Sequence, residues 1–222
     1  MFEDEVEMER RSSFLPLVLM LSLLVLIVGT VAYVIFQVRS KTPLTADQAT
    51  PIVTATLQGP GPAVIHFRVG LIKADENPDE PNYRLLQKAG IVKLAKAKKG
   101  DVTVSLTPDG ERLLSGLPGF KKSEPKDDSY SCQAPLAERQ LLGIAGVEMN
   151  DADHATVTYN WKWLPNALGD VFDAGGPLVK SFGVWERQTL ISKYQAAFYH
   201  GDPTISTLTL VRQDRQWKLP AR

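Results

Sequence analysis

The chain has 222 residues, 25 Lys and Arg against 25 Asp and Glu, one cysteine and 44% hydrophobic residues. A single cysteine excludes a disulfide scaffold, and the balanced composition excludes an acidic or basic low-complexity chain. The zero net charge is unevenly spread: residues 1–13 hold five acids against two arginines, 14–38 hold no charge, and 84–126 hold ten Lys and Arg against four acids.

In chain order, a short acidic tail (1–13) precedes an uncharged stretch (14–38) whose centre, Leu17 to Phe36, is apolar or small throughout. A helix of about 20 such residues matches the ~30 Å of a bilayer's hydrocarbon, so a transmembrane helix is expected over 14–38. The bulky Ile35-Phe36-Gln37-Val38-Arg39 exit does not suit a signal peptidase, which favours an uncleaved anchor over a signal peptide. Arg10 and Arg11 on one side tie with Arg39 and Lys41 on the other, so charge does not orient the segment. The expected arrangement is a single-pass cell-membrane protein, N-terminus cytoplasmic and C-terminal domain extracytoplasmic (periplasmic), with 39–43 as linker.

Beyond the linker, Thr45 and Gln48 have capping-box spacing and predict a helix over 45–57, stopped by Gly59-Pro60-Gly61-Pro62. Ala63 to Lys73 reads as a strand, and Asp75 to Pro81 as a loop. Asn82 to Ile91 predicts a helix ending at Gly90, where a left-handed cap favours glycine. Ile91 to Leu94 and Val102 to Leu106 predict a hairpin around Lys98-Lys99-Gly100-Asp101, and Thr107-Pro108 starts another helix.

The residues Leu86, Gly90, Ile91 and Val92, followed by Leu106, Thr107 and Gly110, resemble the wing region of winged-helix proteins, a match covering 83–114. That resemblance implies a small helix–hairpin–helix unit; the hairpin's Lys96, Lys98 and Lys99 read as a solvated lysine-rich tip, with contact to a polyanion, which the cationic stretch supports, as the alternative. A supporting helix and tight turn before Asn82 are missing, which argues against DNA reading. A wider pattern of Thr45, Ala46, Ala49, the wing residues, Cys132, Val157, Tyr159, Trp161, Pro165 and Trp217 resembles a group of membrane-anchored or lipidated envelope proteins of Gram-negative bacteria with no assigned activity. This chain lacks that group's lipidated cysteine. The resemblance implies an extracytoplasmic domain and carries over no catalytic residue.

From 127 onward an antiparallel sheet region is expected. Ser129–Gln133, Gln140–Glu148 and Ala155–Trp163 are strand candidates, and Val157, Tyr159, Trp161 and Trp163 alternate onto one face. Tyr159, Trp161 and Trp163 read as core, with a sugar- or peptide-binding face as the alternative. Leu164-Pro165-Asn166-Ala167 breaks the strand, 189–200 has no assignable pattern, and 204–219 forms a closing hairpin carrying Trp217. The whole is expected to be α+β: one N-terminal transmembrane helix, then a winged-helix-like region (44–120) packed with a mainly antiparallel sheet (127–222).

Chemistry-bearing motifs are absent: no G-x-S-x-G, phosphate loop, H-E-x-x-H or C-x-x-C occurs. Asp151-Ala152-Asp153-His154 has possible metal donors but better turn chemistry; Cys132 reads as a buried hydrophobe; Asp170 and Asp173 read as solvated. No catalytic, cofactor-binding or metal residue is therefore assigned, and no cofactor is expected. The expected function is non-enzymatic: a binding or structural role in the cell envelope with a protein or anionic partner. The alternative is a membrane-tethered winged-helix-like nucleic-acid binder.

Overall fold

The computed structural model describes residues 18–33, 43–126 and 129–220. Its α-helices are α1 (18–33), α2 (Ala46–Gln58), α3 (Pro81–Lys88), α4 (Pro108–Ser115), α5 (Ala167–Val171), α6 (Pro177–Lys180) and α7 (Val184–Lys193). The strands are β1 (Ala63–Ile72), β2 (Val92–Lys96), β3 (Val102–Leu106), β4 (Lys121–Lys122), β5 (Ser129–Met149), β6 (His154–Pro165), β7 (Thr204–Gln213) and β8 (Gln216–Lys218).

The expectation of a transmembrane helix over 14–38 is corrected. Among the described residues, no helix is long and apolar enough to cross a membrane. Residues 14–17 and 34–38 of the expected span, the acidic tail and all but Pro43 of the expected linker lie outside the described residues.

The α+β class stands, built on one antiparallel sheet of eight strands in the order β2-β3-β1-β5-β6-β7-β8, with β4 pairing β5 off that path. Because β1 pairs β5 from Ala63↔Ala137 to Gly70↔Ser129, the hairpin region and the C-terminal strands share one sheet. The two strands expected at 129–133 and 140–148 are one strand of 21 residues, bent by register shifts at Leu141/Gly143 and Ile144/Gly146. Such bulges sharpen the twist of a strand and let its two halves pack against different elements.

Two cores result. In the first, Ile65, Phe67 and Val69 of β1 and Cys132, Ala134 and Leu136 of β5 pack with side chains from α3 to α7. In the second, Ala49, Val53 and Leu57, spaced i, i+4, i+8 along α2, cover Ala155, Val157 and Tyr159 of β6 and Leu210 of β7. Trp161 belongs to the second core and Trp163 to the first, their rings edge-to-face at 5.5 Å.

The segment 189–200, which had no readable pattern, holds the end of α7 up to Lys193 and then irregular chain. In α7 only Leu190 is fully inside, while Glu186 pairs with Arg84 of α3 and Lys193 with Glu80 before it. The helix thus reaches α3 through ion pairs at both ends and one apolar contact.

Candidate functional site

Helix α2 has two unlike faces. Its start is fixed by a capping box between Thr45 and Gln48, and its inner stripe is buried. On the outer side Thr50, Thr54 and Thr56 donate their hydroxyls to the carbonyls of Ala46, Thr50 and Ile52, each at 2.8 Å, so these polar groups are satisfied within the helix and the face is left largely apolar. Pro51 sits in the interior of α2 and is exposed, although proline there removes a helix hydrogen bond and crowds the carbonyl four residues back.

Opposite that face stands the hairpin of β7 and β8, closed by Asp214 and Arg215 with φ of 53° and 65°, the two left-handed residues of a type I′ turn. Between helix and hairpin lies an open groove of about 860 Å³, lined by Pro51, Ile52 and Ala55 on one side and by Trp217, Lys218 and Leu219 on the other, with Thr56, Gly59 and Pro60 completing it. This volume falls within the range of about 300–1,000 Å³ of sites that enclose small ligands or peptide side chains. The indole of Trp217 is half-buried against the second core, and Leu219 is 45% exposed. The only charged lining residue is Lys218, which has no partner among the described residues.

The aromatic residues singled out in the sequence lie elsewhere. Tyr159 is buried under α2; Trp161 is half-buried and donates its Nε1–H to Ser206 Oγ at 3.0 Å; Trp163 packs edge-to-face on Tyr199. The guanidinium of Arg139 stands 4.7 Å from the Trp163 ring centre and 5.9 Å from that of Trp161, across strands paired at Arg139↔Trp163. Its Nη1 is buried without a hydrogen bond, so ring quadrupoles rather than a carboxylate face this cation.

Lys96, Lys98 and Lys99 lie at the exposed tip of the β2–β3 hairpin, with Lys99 left-handed at φ 60°. The tip leans on the acidic loop: Asp101 Oδ1 accepts the N–H of Ala74 at 2.9 Å, and Gly100 borders a polar depression shared with Asp79 and Glu80. Carboxylates so near weaken the field these lysines present to a polyanion. Helix α3, which precedes the hairpin as a recognition helix would, has Pro81, Asn82, Tyr83, Leu85 and Leu86 buried and is covered by α6 and α7. It has no free face to lay in a nucleic-acid groove.

Asp170 and Asp173 are brought together with His200, which no residue pattern joins to them. His200 Nε2 lies 2.8 Å from Asp170 Oδ1 and 3.9 Å from Asp173 Oδ2, and Asp173 is buried with Oδ1 accepting the Gly175 N–H. Asp151 is a turn residue: its Oδ1 accepts the backbone N–H groups of Asp153 and His154, which hold its carboxyl below the usual range. Among the described residues no group of three or more His, Cys, Asp or Glu could hold a metal ion.

Cys132 is fully buried, and burial pushes its thiol up to about 11, so little thiolate exists at neutral pH. Labelling by a thiol reagent at pH 8 is accordingly expected only as the chain unfolds, at the rate of unfolding followed by circular dichroism. Stoichiometric labelling of the folded chain within minutes would contradict this.

The groove itself was not legible from residue patterns, because its walls come from segments some 160 positions apart in the chain, 51–60 and 217–219. No family model matches the chain, and no curated protein or solved structure matches it.

Proposed function

We propose that this chain is a non-enzymatic binding module whose site is the groove between α2 and β8, and that its ligand is an apolar segment of another protein. The observation that carries the reading is the outer face of α2: an apolar surface, its hydroxyls already bonded inward, set against an indole and a leucine that the fold leaves accessible. Accessible apolar surface of this shape is what recognition sites use, since burying it on association releases about 25 cal/mol per Å² before the cost of ordering is met. Binding of this kind is independent of compartment and requires no cofactor.

The test is selection of displayed random twelve-residue peptides on the full-length chain, with counter-selection on full-length Ile52→Glu. Ile52 is half-buried at the groove floor, and a carboxylate there charges the floor. A pool that binds the parent and is lost on the variant is the expected result. If every selected peptide binds both chains equally, the groove is not the site.

A further inference from the structure

Resting on the reading that the groove binds a protein segment, we infer that this segment enters as an added β-strand on the free edge of β8, in extended conformation, with an acidic residue set beside Lys218. The inference starts from hydrogen-bond parity. In a hairpin closed by a two-residue turn, the residues flanking the turn, here Gln213 and Gln216, point their N–H and C=O groups at each other. Parity then directs the backbone groups of Trp217 outward, those of Lys218 toward Val211, and those of Leu219 outward.

The sheet ends at β8, so the outward groups of Trp217 and Leu219 meet no further strand, and they have no hydrogen-bond partner among the described residues. Two donors and two acceptors therefore line one wall of an apolar groove whose other wall is a helix. An extended chain satisfies this arrangement: its backbone completes the ladder while alternate side chains point into the floor formed by Ile52 and Ala55. A helical ligand would leave the edge groups unpaired and buried, a penalty that an extended chain avoids.

Charge selects the ligand's composition: strand alternation sends the Lys218 side chain to the sheet face opposite Trp217, where it has no partner among the described residues, so an acidic residue directly across from it on the added strand gains an ion pair that a basic one does not.

The experiment uses peptides from the selection described above. Each is N-methylated one position at a time and measured on the full-length parent, on Leu219→Pro, which removes an outward N–H together with the leucine side chain, on Leu219→Ala, which removes the side chain alone and sets the baseline for the proline variant, and on Lys218→Glu. Expected are period-two sensitivity to N-methylation, about tenfold weaker binding to Leu219→Pro than to Leu219→Ala, and loss of preference for acidic peptides on Lys218→Glu. Unchanged near-ultraviolet circular dichroism of each variant secures the comparison. An empty counter-selected pool overturns the groove reading itself. A pool lost on Ile52→Glu yet binding Leu219→Pro and Leu219→Ala alike and indifferent to the methylation period overturns strand addition alone, and a ligand-free dimer abolished by Leu219→Pro overturns it in favour of a second copy of this chain.

Discussion

Gly110→Ala is expected to destabilise the fold by more than about 4 kcal/mol, most of the 5–15 kcal/mol that a domain typically has. A methyl group at position 110 would stand inside the contact distance of the backbone carbonyl of Ile91, with the carbon and Cα of the same residue close behind. Backbone cannot step aside as a side-chain tip can. The neighbouring bonds tighten the constraint: Thr107 donates its N–H to Ile91 O at 3.0 Å and its hydroxyl to Gly90 O at 2.6 Å, while its Oγ1 accepts the Gly110 N–H at 2.9 Å. Helix α4 is thus docked by its first turn directly on the end of α3. Gly90→Ala is the control, because a Cβ at residue 90 meets nothing and only its φ of 73° resists, a penalty of about 1 kcal/mol. Urea denaturation of both variants checks the pair; a Gly110→Ala loss near that of Gly90→Ala would show that α4 can lift away.

That geometry also explains what the wing-like motif records. Leu86, Gly90, Thr107 and Gly110 hold the α3–hairpin–α4 junction together, and none of them faces a ligand. The hairpin strand at Val102–Leu106, the Thr107 cap and the α2 capping box were readable because each depends on residues within a few positions of one another. What covers α3 was not readable. Its partners Glu186 and Ser181 lie some hundred positions away on short helices, where apolar residues are too few to form a periodic stripe. The same distance hid the meeting of His200 with Asp170 and the pairing of α2 with β8. A long apolar stretch at 17–36 was legible as composition, and residues 18–33 of it are described as helix.

Asn166→Ala is the second large effect expected, a loss of about 2–4 kcal/mol. Asn166 ends β6 and begins α5 at once: its Oδ1 accepts the N–H groups of Leu168 and Gly169 at 2.9 and 3.0 Å, and its Nδ2 donates to Pro135 O on β5 at 2.9 Å. Losing a helix cap accounts for about 1 kcal/mol, and stranding a partly buried carbonyl accounts for a further 1–3. Asn166→Ser separates the two, since serine keeps the cap acceptor and lacks the donor to Pro135; its loss is expected to be about half that of alanine. The consequence reaches beyond α5. Gly169 lies so close to Leu136 O that a Cβ there would collide with it, so α5 is seated on β5 by backbone contact and by Asn166 together. Residues 167–203, which cover α3, hang from that seat. Hydrogen exchange in Asn166→Ala should therefore rise at Leu85 and Leu86 of α3 while the α2 amides, which belong to the second core, keep their protection. Equal loss of protection in α2 and α3 would mean that the two cores open as one unit and that Asn166 is no special hinge of the first.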